Sequence, residues 1–173
     1  MSRFIAWLEA TNAKDSRLRA TLKRSLAFAP GTFAGAFPFV EPFVSEEPLG
    51  WRRDAHYLAA GLWAAHWQEG PHGQPLPLGK ACAQHQAASK STSTERRFMA
   101  LLDSDPDQLA HRLRQMVALL KGYPLDFDGL LKGILYWNDD QRRTQTQWAR
   151  DFYSSLEHHA PDSPTTPTEE TRP

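Results

Sequence analysis

The sequence TERRFMALLDSDPDQLAHRLRQMVALLK, residues 94–121, predicts two consecutive helices that share one apolar side. Thr94 or Ser93 is the expected N-cap of the first helix. Asp105 is the expected N-cap of the second, and Pro106 suits its first position. Apolar residues recur at the spacing of a 3.6-residue period and are expected to face a core: Phe98, Leu101, Leu102, Leu109, Leu113, Met116, Val117 and Leu120.

The same stretch carries four arginines that lack an acidic neighbour in their own helix. Arg96, Arg97, Arg112 and Arg114 have no Asp or Glu at i±3 or i±4, where helical side chains are neighbours. Arg96 is expected opposite the apolar side, and Arg114 well away from it. Such a surface is available to an external anion, for which a phosphate backbone is the usual candidate. The alternative is that the arginines are solvated or paired through tertiary contacts.

A second basic surface is predicted near the N-terminus. Asp15 is expected to cap a helix that runs through Ala27, with Leu18 and Leu22 on its buried side. Its cations without an acid at i±3 or i±4 are Arg17, Lys23 and Arg24, whereas Arg19 has Asp15 within one turn. These cations therefore extend the predicted anion-binding surface.

The formal net charge of zero hides an uneven distribution. Residues 1–156 contain 19 Lys or Arg against 16 Asp or Glu, whereas residues 157–173 contain one against four. The second segment is rich in Pro and Thr and has almost no large apolar residue, which predicts a disordered acidic tail. We therefore expect one mildly basic helical domain over residues 1–156, since 173 residues with 40% hydrophobic content suffice for one core.

The remaining segments also favour helices. Residues 51–67 predict a central buried helix in which Gly61 permits close helix contact, and residues 78–87, 126–136 and 138–156 predict three more. The phenylalanine-rich segment 28–44 is expected to plug the core through a short helix at 34–40, or in part to contact another protein. No segment shows convincing strand alternation. The predicted fold class is all-α, an irregular bundle of about six to eight helices.

Compartment and chemistry are constrained mainly by what the sequence lacks. The single cysteine, Cys82, excludes an internal disulfide, and no apolar run approaches the ~20 residues of a membrane span, so we expect a cytoplasmic protein. Cys82 and His85 are only one helical pair, which is too few ligands for a metal site. Asp103, Asp105 and Asp107 are better explained as residues that end one helix and cap the next than as ligands of a metal ion. No phosphate-binding loop, nucleophile elbow or zinc motif is present. The sequence predicts no catalytic residue, metal or cofactor.

Five collinear blocks resemble the CasB family, the small subunit of the type I-E CRISPR effector complex, Cascade. They are KRSLAFAPG at 23–31, PFVEPF at 38–43, RRDAHYLAAGLW at 52–63, ERRFMALLDSDPDQLAHRLRQ at 95–115 and QWARDFY at 147–153. The resemblance covers roughly residues 3–156. It implies an all-helical, non-catalytic protein, two copies of which stack head to tail against the subunits that hold the CRISPR RNA.

The resemblance also implies partners and a site. The expected partners are the other Cascade subunits, CRISPR RNA, the target and displaced DNA strands, and a second copy of the chain. The family has a basic residue before a short Ala-rich helix that follows the long loop, and the resemblance assigns this position to Lys80. Arg142 and Arg143 have Asp139 and Asp140 within one turn, which reduces the charge they offer. Carried over by position, the nucleic-acid-binding residues are Lys23, Arg24, Lys80, Arg96, Arg97, Arg112, Arg114, Arg142 and Arg143.

Three functions stay open on the sequence. The first is a nucleic-acid-contacting subunit of an RNA-guided complex, in which base pairing reads the sequence and the protein stabilises the R-loop. The second is a protein–protein scaffold whose arginines meet acidic partner surfaces. The third is an enzyme of a type that no motif here identifies.

Overall fold

The computed structural model describes residues 2–68 and 73–157, and within them the all-α class is confirmed. Nine α-helices and one 3-10 turn follow one another along the chain, one helix more than the upper bound of the expected range. The bounds are α1 Arg3–Asn12, α2 Arg17–Ser25, the 3-10 turn Ala34–Ala36, α3 Phe37–Val44, α4 Trp51–His66, α5 Leu78–Ser89, α6 Ser93–Leu102, α7 Pro106–Leu119, α8 Phe127–Leu135 and α9 Arg143–Glu157.

Helix α4 is the central element, as its alanine-rich sequence predicts. It packs against α2, α3, α7 and α8, and its small side chains let these helices approach closely. A Cβ atom at Gly61 would lie 2.6 Å from Cδ2 of Leu26. The glycine therefore admits the end of α2 against α4, which confirms the close contact expected at this position.

Helices α5 and α9 form the most extensive helix–helix contact among the described residues. At their crossing, a Cβ atom at Gly79 would overlap the backbone carbonyl of Trp148. Phe152 of α9 stacks on Phe98 of α6 with ring centroids 4.8 Å apart, and both rings are fully buried. Helix α6 contacts both α5 and α7, so it joins this pair to the helices around α4.

The stretch 94–121 forms the two predicted helices, α6 and α7, and all eight residues expected in its core are buried. The start of α6 differs from the prediction. Thr92 is the N-cap, while Thr94 is buried and its hydroxyl lies 2.8 Å from Nδ1 of His85. The amide of Glu95 instead donates to Oε1 of Gln86 at 2.7 Å. A side chain of α5 thus accepts from a free amide in the first turn of α6. A local sequence pattern does not reveal this contact between two helices.

The starts of the last three helices agree with the predictions only in part. Asp105 occupies the N-cap of α7 as predicted, although its side chain makes no capping hydrogen bond. Asp126 caps α8 by accepting from the amide of Gly129 at 2.9 Å. Helix α9 begins at Arg143, later than the predicted Asn138 or Asp139. The preceding residues turn instead, and Arg142 adopts a left-handed φ of 50°.

The phenylalanine-rich segment packs on the core only in part. Phe43 of α3 contacts the rings of Phe4 and Trp7 in α1, with centroids 5.2 and 5.0 Å away. A guanidinium N–H of Arg53 donates to the carbonyl of Val44 at 2.8 Å, which holds the end of α3 against α4. Two phenylalanines of the segment remain exposed: Phe28 by 46% and Phe37 by 38%.

Two predictions fall largely beyond the residues that the structure describes. The acidic tail expected at 157–173 lies outside them except for its first residue, at which α9 ends, and so do residues 69–72 of the long connection. After that gap, the amide of Leu76 donates to the carbonyl of Pro124 at 2.8 Å. Across the described ranges, no helix has the length and apolar content that a membrane span requires.

Candidate nucleic-acid interface

The nine predicted contact residues fall into two groups, according to whether the side chain has a hydrogen-bond, ion-pair or aromatic partner within the described residues. Across residues 2–68 and 73–157, five of them have no such partner: Lys23, Lys80, Arg96, Arg97 and Arg112. All except Arg112 are exposed, and Arg112 is half-buried. Lys80 lies in the first turn of α5, as the predicted helix 78–87 implies, and not before a helix as the resemblance implies. These five side chains keep their charge available to an external anion.

Arg96 and Arg97 face solvent because Phe98, the next residue of α6, faces the core. Consecutive helical residues are separated by about 100° around the axis, so Arg96 lies on the far side from Phe98 and Arg97 on its flank. Their acidic neighbour Glu95 turns elsewhere and accepts from the hydroxyl of Tyr153 at 2.8 Å. The carboxylate is therefore engaged with α9 and forms no ion pair with either arginine in the described part of the chain.

Arg112 and Arg114 diverge, although only one residue separates them in α7. Two residues correspond to about 200° of rotation, so the side chains leave on opposite flanks of the buried face. Arg112 has no partner among the described residues, whereas a guanidinium N–H of Arg114 donates to the backbone carbonyl of Leu26. The structure thus places Arg114 against the end of α2, which corrects the expectation that it points away from the core.

The Arg114 contact has a clear structural role. The last carbonyls of a helix have no partner within that helix, and basic side chains commonly satisfy them. Leu26 is the C-cap of α2, and Arg114 is half-buried where it reaches this carbonyl. The contact fastens α7 to α2 and brings Arg114 close to the end of the helix that carries Lys23 and Arg24.

Replacing Arg114 with alanine is therefore expected to destabilise the protein by about 1 to 2 kcal/mol, because it leaves a half-buried carbonyl without its donor. Arg112→Ala is the matched control. It removes the same side-chain type from the same helix, and its free energy of unfolding should stay within about 0.5 kcal/mol of the parent. Urea denaturation of both variants measures the difference, and equal stabilities would contradict the structural role of Arg114.

Arg142 and Arg143 are also occupied. Nε of Arg143 lies 2.9 Å from Oδ2 of Asp139, one turn away, as its sequence neighbours predict. A guanidinium N–H of Arg142 instead donates to the carbonyl of Leu102 at 2.6 Å and lies 3.9 Å from Asp103. Arg142 therefore binds a carbonyl at the end of α6, and Arg143 is paired with a carboxylate. Both offer less free charge than Arg96 and Arg97.

Arg17 and Arg24 of α2 differ in what their side chains contact. Arg17, which has no acid at i±3 or i±4, pairs with Asp15 two residues away at 2.8 Å. Arg24 of α2 is exposed and its guanidinium carbon lies 5.8 Å from the ring centroid of Phe33. The turn after α2 thus combines an aromatic ring with a cation, which the spacing of charges alone does not predict.

Arg150 is an exposed arginine that was not among the predicted contact residues. Arg150 lies on the solvent side of α9 and has no partner in the described part of the chain. Its i±3 and i±4 neighbours contain no acid, so the criterion that identified Arg96 also identifies it. Arg150 therefore belongs with the candidate cations. It lies within the block 147–153 of the resemblance, although it was not among the contact residues carried over by position.

The described residues offer little for metal or nucleophilic chemistry. Among them, no three His, Cys, Asp or Glu side chains come together in a way that would hold a metal ion. Burial raises the pKa of the Cys82 thiol well above its ordinary value, which keeps it protonated and unreactive. His85 is engaged with Thr94. The candidate site is therefore a set of exposed cations and not a pocket.

Together, the fold and this surface define a class of proteins: α-helical bundles that present guanidinium and ammonium groups on solvent-facing helix sides. The sequence model for CRISPR-associated protein Cse2 matches residues 18–153 of this chain. The chain belongs to the Cse2 family, whose members are also called CasB. The resemblance noted from the sequence blocks is confirmed.

Individual relatives support this assignment over most of the chain. A CRISPR-associated protein Cse2 from Thermus thermophilus is 42% identical over 158 residues, covering 88% of this chain and 89% of the relative. The crystal structure of CasB from Thermus thermophilus is 40% identical, with a TM-score of 0.78 over 88% of this chain and 96% of that one. M. ruber CasB is 34% identical, with a TM-score of 0.76 and coverage of 91% and 96%.

A more distant relative shares the fold. It is a chain of a CRISPR RNA-guided surveillance complex, 22% identical, with a TM-score of 0.75 over 90% of this chain and 92% of that one. The helical arrangement thus persists where few residues are shared.

Proposed function

We propose that this protein is a non-catalytic small subunit of a type I-E CRISPR RNA-guided surveillance complex, Cascade, and that its basic helix faces contact the nucleic-acid backbone and stabilise the R-loop. Its partners are the other Cascade subunits, CRISPR RNA, the target and displaced DNA strands, and a second copy of itself. The observation that carries the proposal is the set of five predicted contact cations whose side chains have no partner among residues 2–68 and 73–157, in a chain of the Cse2 family.

The chemistry of the surface suits a phosphate backbone. A cation that its own protein leaves unpaired gains most when it replaces the counterions condensed on a nucleic acid. In RNA-guided complexes, base pairing with the guide reads the sequence, and the protein holds the backbone and the displaced strand. Arg96 and Arg97 are suited to this task because both are exposed and Glu95 is engaged with Tyr153.

The test is the double variant Arg96→Ala, Arg97→Ala. Alanine is the best helix former, and neither side chain packs in the core, so the melting temperature should not change. The affinity for a single-stranded oligonucleotide should fall, and the slope of log affinity against log salt should decrease in magnitude by about 1.4, since each lost phosphate contact contributes about 0.7. Fluorescence anisotropy between 50 and 200 mM salt, about the range over which such affinities change steeply, gives both values.

The control removes the same charge elsewhere. Arg17 and Arg52 are exposed but paired with Asp15 and Glu47, so Arg17→Ala, Arg52→Ala should leave the salt slope nearly unchanged. In the reconstituted complex, the Arg96 and Arg97 variant should assemble but form R-loops poorly. Failure to assemble would favour the alternative function, a protein–protein scaffold, and unchanged binding with an unchanged slope would refute the proposed contact.

A further inference from the structure

The turn after α2 presents two stacked aromatic rings at the protein surface. Phe28 and Phe33 have ring centroids 4.9 Å apart and planes inclined by 14°. Phe28 is 46% exposed and Phe33 is half-buried. Phe43 of the neighbouring α3, in contrast, packs on the rings of α1. Nearly half of the Phe28 surface is therefore left to water, although burying it would be favourable.

The backbone holds the rings in place. The amide of Phe28 donates to the carbonyl of Ser25 at 3.0 Å, and the amide of Thr32 donates to the carbonyl of Ala29 at 3.1 Å. Within the second turn Gly31 has a φ of 77°, a conformation that residues with a side chain rarely adopt. Two hydrogen-bonded turns therefore orient the pair before any ligand binds, which lowers the entropy cost of binding.

Positive charge lies beside the rings. The guanidinium of Arg24 lies 5.8 Å from the ring centroid of Phe33, and its neighbour Lys23 is exposed without a partner in the described residues. Arg114 reaches the carbonyl of Leu26, two residues before Phe28. An acid of α4, Asp54, lies behind Gly31, where it is half-buried and its pKa is raised by that burial. The aromatic surface thus has a cationic edge.

We propose that Phe28 and Phe33 form a stacking platform for unpaired bases of a single nucleic-acid strand, whose phosphates contact Lys23 and Arg24. The inference rests on the proposed function and adds that the strand bound at this turn is single-stranded. Proteins that bind single strands without sequence preference combine a basic path with exposed aromatic rings on which bases stack. A duplex does not offer its base faces, so the platform distinguishes an unpaired strand from a paired one.

The experiment uses the full chain and two 20-nucleotide probes, oligo-dT and an abasic strand of equal charge. Phe28→Ala should weaken oligo-dT binding about five- to tenfold, the lower part of the range for base–aromatic stacking. Its affinity for the abasic strand and its salt slope should not change, because no cation is removed. Phe28→Tyr should retain the affinity, since it keeps the ring. Oligo-rU in place of oligo-dT shows whether the strand is RNA or DNA.

Phe37→Ala is the matched control, because Phe37 is 38% exposed in the same segment but stands edge-on to Tyr57. It should bind both probes as the parent does. If Phe28→Ala binds oligo-dT as well as the parent while Lys23→Ala, Arg24→Ala lowers the salt slope, the platform is wrong and the proposed function stands. If the parent binds neither probe, both proposals fail. If Phe28→Ala binds normally but the complex no longer assembles, the rings form a protein contact and the platform is again wrong.

Discussion

Replacing Phe152 with alanine is expected to lower the free energy of unfolding by about 3 to 5 kcal/mol, the usual cost of removing a fully buried phenylalanine. The ring has no exposed surface and stacks on Phe98, so truncation opens a cavity where α6 meets α9. Surrounding side chains cannot fill it without leaving their own packing. Chemical denaturation measures the loss.

Tyr153 supplies the comparison for this prediction. It follows Phe152 in α9 but is 42% exposed, and its hydroxyl donates to Glu95. Tyr153→Ala removes a similar number of atoms from the same helix, yet it should cost only about 1 kcal/mol, since the lost contacts are partly solvated. Similar losses in the two variants would show that the interface of α6 and α9 is less closely packed than its geometry indicates.

Gly79→Ala is expected to cost about 2 to 3 kcal/mol by overpacking, although it adds a single methyl group. The new Cβ atom would overlap the carbonyl of Trp148 and lie 2.9 Å from the Cβ of Asp151. Neither atom is the free end of a flexible side chain, so α5 and α9 must separate. The melting temperature should fall by about 4 to 12 °C for a chain of this size.

Gly122→Ala controls for the change of residue type, because a Cβ atom there meets nothing within 4 Å. Cys82, three residues after Gly79, reports whether α5 has moved. Its thiol is fully buried and should react with a thiol reagent only when the helix opens. Gly79→Ala should label faster than the parent, and Gly122→Ala at the parent rate. An unchanged labelling rate and an unchanged melting temperature in Gly79→Ala would mean that the crossing accepts a side chain.

Much of the fold was predictable because its determinants are local. The apolar period of residues 94–121 and the Asp105–Pro106 pair specify two helices whatever surrounds them. The alanine-rich composition of residues 51–67 likewise predicts a buried helix. Gly79 gave no comparable signal, because a glycine near the start of a helix has the same appearance in sequence whether its neighbour is water or another backbone.

The basic surface shows which contacts follow from the sequence of a single helix and which depend on how the helices pack. Sequence alone determined that Arg96, Arg97 and Arg112 have no acid within their own helices, since neighbours at i±3 and i±4 are set by the 3.6-residue period. Only the tertiary structure decided the roles of Arg114 and Arg142, whose acceptors are carbonyls 88 and 40 residues away. Contacts over such distances depend on how helices pack, and packing is decided by all side chains at an interface together. The stacking of Phe28 on Phe33 beside Arg24 has the same origin, because two turns and the end of α2 must meet before rings and charge share one surface.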